Sequence, residues 1–260
     1  MISMMNEKIG WRGKIGLIVN SGQIVTEPVY NRVAPPGISF FASRILVESG
    51  PMEDHASMEK NAFRAGKELA GAGVDCIAYC CTFSGVLQGV EGNKRFCLEM
   101  EKETGIRTTS ALSAILDGLE ALRLKKLVLV SPYQEKQHVA EEEFFRASGF
   151  HIVKSVSMNI DHRTKVPLVT PGEIYRFCRK HWDEAADGLL ISCMNFNALP
   201  AIAPLEKDLA KPVLSSHSAT LWKALRIIGV REPVPGGGRL LNEDPEVSAQ
   251  GGAKASTSDR

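Results

Sequence analysis

Two cysteines offer the clearest chemistry in this sequence. Cys81 closes the run Asp75-Cys-Ile-Ala-Tyr-Cys-Cys81 and Cys193 closes Asp187-Gly-Leu-Leu-Ile-Ser-Cys193, so each stands six positions after an aspartate, where an apolar strand should end. Ligand crevices of open α/β sheets lie beyond the carboxyl ends of the strands. A thiol there can be lowered toward neutrality by helix-terminal N–H groups and act as a base or a nucleophile, and a second thiol can return the proton. Side chains alternate along a strand, so only one of Cys80 and Cys81 faces the site, and the repeat selects Cys81. Cys76, Cys97 and Cys178 read as small buried hydrophobes. With no paired CxxC clusters, all six cysteines read as reduced thiols.

Around the thiols, loop positions Ser21, Thr82, Tyr133, Asn195, Ser215 and Ser216 could donate to a carboxylate, although residues of these types usually serve turns and helix caps. The histidines His55, His138, His151, His162, His181 and His217 form no HExxH or close ligand pair, so no catalytic metal is expected. The run ending Pro235-Gly-Gly-Gly-Arg239 lacks the Lys-Ser/Thr and following helix of a phosphate loop, and no GxGxxG follows a strand, which argues against nucleotide binding.

Short aliphatic runs alternate with segments of helical length, the pattern of parallel sheets covered by helices. Strands are predicted near Lys14–Val19, Ile38–Leu46, Asp75–Cys80, Lys126–Val130, His151–Ser157, Gly188–Ser192 and Pro212–Leu214. Three segments recur in order. Arg12-Gly-Lys-Ile-Gly-Leu-Ile-Val19 resembles Arg123-Leu-Lys-Lys-Leu-Val-Leu-Val130. The two Asp-to-Cys runs match each other, and Ser110-Ala-Leu-Ser-Ala114 matches Ser215-Ser-His-Ser-Ala219 as helix N-caps. The expected fold is therefore α/β: two similar Rossmann-like halves with mainly parallel sheets, related by a pseudo-twofold, with the active site between them. The first half would span 10–122, completed by a helix over 217–230, and the second 123–216. A breaker-rich loop is expected over 232–239 and a disordered tail over 242–260.

The 260 residues suffice to bury a core, and 44% hydrophobic with 23% charged residues is ordinary globular usage. Lys and Arg total 31 against 30 Asp and Glu, so no net field recruits nucleic acid or anionic lipid. No apolar run approaches the roughly 20 residues of a membrane span. The first residues lack a signal-peptide core, so a cytoplasmic location is expected.

Cys81-Thr-Phe-Ser84, Ser192-Cys-Met-Asn195 and Ser215-Ser-His-Ser-Ala-Thr-Leu-Trp222 resemble the maleate cis-trans isomerase and arylmalonate decarboxylase branch of the aspartate/glutamate racemase superfamily. Leu17-Ile-Val-Asn-Ser-Gly-Gln-Ile-Val-Thr-Glu-Pro28 is similar to that branch's first loop and Ser131-Pro-Tyr133 to the opening of its second half. The resemblance implies an enzyme that needs no cofactor, with Cys81 and Cys193 catalytic. It places Ser21, Gln23, Thr82, Tyr133, His162, Met194 and Asn195 around the substrate, with Tyr133 matching the branch's substrate-binding tyrosine. Gln23 and His162 stand where the branch would have asparagines, as do His138 and His217. Having both thiols favours isomerisation of maleate or a related small unsaturated acid. The alternatives are a two-base amino-acid or hydantoin racemase, an arylmalonate-type decarboxylase, and a non-catalytic binding homologue. A small carboxylate is the implied partner, and a homo-oligomer the implied assembly.

Overall fold

The structure, a computed structural model, describes residues 8–48 and 55–243. Eight strands form two four-stranded parallel sheets. The first is built from β1 (Gly13–Asn20), β2 (Ile38–Ile45), β3 (Cys76–Tyr79) and β4 (Thr108–Ser110), in the order β2-β1-β3-β4. The second is built from β5 (Lys126–Ser131), β6 (His151–Ser157), β7 (Gly188–Ile191) and β8 (Val213–Ser215), in the order β6-β5-β7-β8. Shifting the first order by four strands gives the second, so the expected two-halved α/β architecture is present. Parallel strands need crossovers, and helices supply most of them. They are α1 (Thr26–Val33), α2 (His55–Gly71), α3 (Thr82–Thr104), α4 (Ala111–Ala121), α5 (Glu135–Ala147), α6 (Pro171–His181), α7 (Leu199–Leu209), α8 (Ser216–Ile227) and α9 (Gly238–Asn242).

The duplicated residues hold equivalent posts. The Asp75 carboxylate accepts from Lys14 N–H at 2.8 Å, and that of Asp187 from Lys126 N–H at 2.9 Å, pinning the foot of each central strand pair. Four apolar residues later each strand ends, and the cysteine emerges at the top. Ser110 and Ser215 cap α4 and α8, accepting from Ser113 N–H at 3.0 Å and Ser218 N–H at 3.1 Å. These two equivalent helices pack against each other, and α8 also touches β3 and β4 of the first sheet. One core cluster includes Ile15, Ala78, Val128 and Leu190, from both sheets, while a second, with Ile18, Met58 and Phe96, lies within the first half.

Three local expectations change. Strand β4 was not predicted, because three residues, Thr108-Thr-Ser110, are too short and polar to signal a strand. Its counterpart β8 and the shared serine cap mark its place. In the expected loop over 232–239, the last two residues begin α9, whose Leu240 and Leu241 are buried and whose Arg239 N–H is accepted by Glu206 at 2.9 Å. Asn242, assigned to the tail, ends that helix, and 244–260, with the N-terminal residues 1–7, lie outside the described residues. All six cysteines are free. Among the described residues no helix is long and apolar enough to cross a membrane.

Candidate active site

Cys81 and Cys193 line one cleft of about 410 Å³ at the carboxyl ends of the two sheets. They reach it differently. Cys81 is the N-cap of α3, in extended conformation, so the first helical N–H groups face its sulfur. Asn20 Nδ2 donates to Cys81 Sγ at 3.4 Å, and the N–H groups of Ser84 and Phe83 also stabilise its anion. Burial still raises the thiol above its ordinary value; these three donors oppose it. Cys193 begins a turn rather than a helix and has φ of 94°, a left-handed conformation that is unusual for a residue with a Cβ. Burial pushes its thiol up to about 12, against the lowering effect of Asn195 N–H, 3.4 Å from the sulfur, and of the Tyr133 hydroxyl. Equivalent in sequence, the two thiols differ in their donors.

Of the other residues singled out in the sequence, Gln23, Thr82, Tyr133, His162, Met194 and Asn195 line this cleft. Ser21 is not among its lining residues; its hydroxyl accepts from Val47 N–H at 3.2 Å and holds the loop after β2. The Tyr133 ring packs on Phe83 with centroids 5.5 Å apart, and desolvation holds its phenol well above the ordinary range, so it stays a donor. His162 is exposed on the loop after β6, its Nδ1 2.7 Å from Thr164 Oγ1. His138 and His217 lie outside the lining. His138 bridges Ser131 and Ser155 at 2.8 Å each, and His217 is buried 3.3 Å from Thr26 Oγ1, where desolvation lowers it to about 4.

Gln23 and Asn195 spend their donors on protein. Gln23 Nε2 donates to Met194 O and to Thr26 Oγ1, both at 2.9 Å. The Asn195 amide accepts from Ile24 N–H at 3.0 Å and donates to Gly22 O at 3.2 Å. Together they stitch the loop after β1 to the turn after β7. Thr82 Oγ1 donates to Ser216 Oγ at 3.0 Å, and the same oxygen accepts from Cys193 N–H at 3.0 Å. Ser216 therefore ties the residue after one thiol to the backbone of the other.

The sequence reading passed over Asn20, although it ends a strand as Ser131 does in the second half. It also missed Glu141 of α5, which is fully buried with one oxygen accepting from Ser192 and the other without a partner among the described residues, so that burial raises it to about 8. Nothing in the sequence marks an acid on a helix as buried. Among the described residues no three His, Cys, Asp or Glu side chains are grouped to hold a metal.

A family model described as arylmalonate decarboxylase matches residues 15–241. The chain belongs to the arylmalonate decarboxylase family. It is thus an enzyme of the superfamily branch that holds both isomerases and decarboxylases. A maleate isomerase of Nocardia farcinica is 28% identical over 247 residues, covering 91% of this chain and 98% of that relative. An arylmalonate decarboxylase of Bordetella bronchiseptica is 26% identical over 211 residues, covering 80% and 88%. Among solved structures, a cysteine-to-serine mutant of the Nocardia farcinica maleate cis-trans isomerase with a covalently bound succinylcysteine intermediate superposes with a TM-score of 0.82. It is 25% identical and covers 89% of this chain and 99% of that one. Relatives in this family thus carry both activities.

Proposed function

We propose that this protein is a cis-trans isomerase of maleate or a related small unsaturated carboxylic acid, working through side chains alone. The observation that carries this reading is the pair of thiols in one cleft with unequal donor sets. Cys81, with three donors, is the group whose anion the protein supports, and Cys193, held to about 12, keeps its proton. The named relatives and the succinylcysteine adduct in one of them support the same reading.

In the proposed reaction the Cys81 thiolate adds to one alkene carbon, forming a C–S bond, while Cys193 gives its proton to the adjacent carbon. The former double bond, now single, rotates. Cys193 then takes a proton back, the C=C bond re-forms, and the C–S electron pair returns to Cys81. Tyr133 donates to Cys193 Sγ, supporting its transient anion. Thr82 and Ser216 hold the two thiols' loops in register, while Gln23, Met194 and Asn195 form the wall beside them and His162 the rim.

The test is proton NMR of maleate with purified protein, alongside Cys81→Ala and Cys193→Ala. Fumarate formation that is lost in both variants is the expected result. A Cys81→Ala enzyme that still forms fumarate at the wild-type rate would sink the nucleophile assignment. Solvent deuterium entering a saturated amino acid or hydantoin, with maleate untouched, would transfer the two thiols to a racemase.

A further inference from the structure

An acid stands sealed behind Cys193. Glu141 of α5 has no exposed surface, and its Oε1 accepts from the hydroxyl of Ser192, the residue that precedes this thiol in the chain. Its Oε2 is buried without a partner among the described residues. Ser192 is itself fully buried, and its N–H donates to Val130 O at 2.8 Å, so the acid is fastened just past the end of β7. Because Ser192 donates to Oε1, the acid's own proton belongs to Oε2, and its loss would leave an anion with one hydrogen bond. No lysine, arginine or histidine pairs with it among the described residues. On α5 itself His138 is turned to Ser131 and Ser155, and Arg146 to Glu142. On β6, packed against α5, His151 is exposed and Lys154 acts on His181; on α3, also packed against α5, Glu91, Lys94 and Arg95 are exposed. The titratable groups that the charge of Glu141 does reach are Cys193 and Tyr133, and it raises both.

We propose that Glu141 is a positioning residue that sets the strength of Cys193 as a proton donor: neutral, it steadies the turn that carries Ser192 and Cys193, and ionised, it places a negative charge behind the sulfur and weakens the donor. This rests on the isomerase reading above, in which the Cys193 sulfur becomes an anion as its proton passes to carbon. A like charge behind the sulfur opposes that anion, and the same field makes Tyr133, which donates to it, a poorer donor. Burial puts the loss of the Glu141 proton at about 8, so the brake engages as rising pH begins to favour the Cys81 thiolate.

The kcat/KM for maleate is followed by proton NMR between roughly pH 6.5 and 9.5 with the wild type and with Glu141→Gln, which keeps an oxygen for Ser192 and cannot ionise. In the wild type the rise of rate with pH should pause near pH 8. The ratio of variant to wild type should grow about tenfold across the range; a ratio independent of pH is what a packing role gives, and it overturns the inference. Should Glu141→Gln fail to fold, Ser192→Ala reads the same coupling: it removes a donor that lowers the acid, so the pause moves to higher pH, and an unmoved pause overturns the proposal. Iodoacetamide alkylation of Cys193, read by mass spectrometry in Cys81→Ala and in Cys81→Ala/Glu141→Gln, reports the coupling without substrate. Equal rates at about pH 6.5, and rates about threefold or more higher in the double variant at about pH 9.5, are expected. Equal rates at both overturn the inference and leave the isomerase standing. Maleate turned over at no pH by the wild type overturns the isomerase reading, and the role of Glu141 in proton donation with it.

Discussion

The two thiols are the same side chain in different company, and their titration follows from the donors around them. In the proposed reaction Cys81 must lose its proton to attack, and burial raises it above the ordinary thiol range. The acid limb of kcat/KM should therefore lie above that range, with rate gained as pH rises. Asn20→Ala removes a donor that lowers the thiol, so the limb moves to still higher pH. An unmoved limb in a pH-rate profile would show that Asn20 does not support the anion. Glu141 makes the opposite kind of statement, about stability. An unfolded carboxyl titrates near 4.3 and the folded one near 8, so the folded state keeps a proton that the unfolded state releases. The stabilisation is complete below the unfolded value and is lost as pH rises through the folded one. The full loss is on the order of 5 kcal/mol. Glu141→Gln removes that dependence and should be more stable than wild type at pH 8 relative to pH 5, as read by urea unfolding at both.

At the scale of elements, the first turn of α3 carries the site, since its N–H groups face Cys81 and it packs closely on α4. A Cβ on Gly85 would meet Leu112 Cβ at 2.6 Å and Leu112 Cδ2 at 2.9 Å. Gly85→Ala should cost about 1–3 kcal/mol, read as a lowered Tm, and reduce kcat about tenfold by moving that turn. The central strands were legible because buried parallel strands read as aliphatic runs, and the Asp-to-Cys repeat fixed both foot and tip of β3 and β7. Strand β4 was not, since its two threonines and serine read as a loop. The same limit applied to the site. Types at strand ends pointed to the cleft, but the direction of a loop side chain is set by tertiary hydrogen bonds. Ser21 therefore turned to Val47, and Ser216, one weak candidate among several serines, became the bridge between the thiols' loops.

For the whole molecule, the decisive fact is that one core cluster draws on both sheets and that α4 and α8 seal each other. Neither half buries its helix alone. We therefore expect one cooperative thermal transition by calorimetry, with near-ultraviolet circular dichroism coincident; two resolved transitions would show halves that fold independently. In the proposed reaction, backbone conformation and catalysis make separate demands at Cys193. Its φ of 94° is a conformation that glycine adopts without penalty. One base change converts a cysteine codon to glycine, so the loss of this thiol lies a single mutational step away and meets no resistance from the backbone conformation at that position. Among descendants of such a gene, copies lacking the proton donor of the proposed reaction would keep this backbone turn, and selection acting on that turn would not distinguish them.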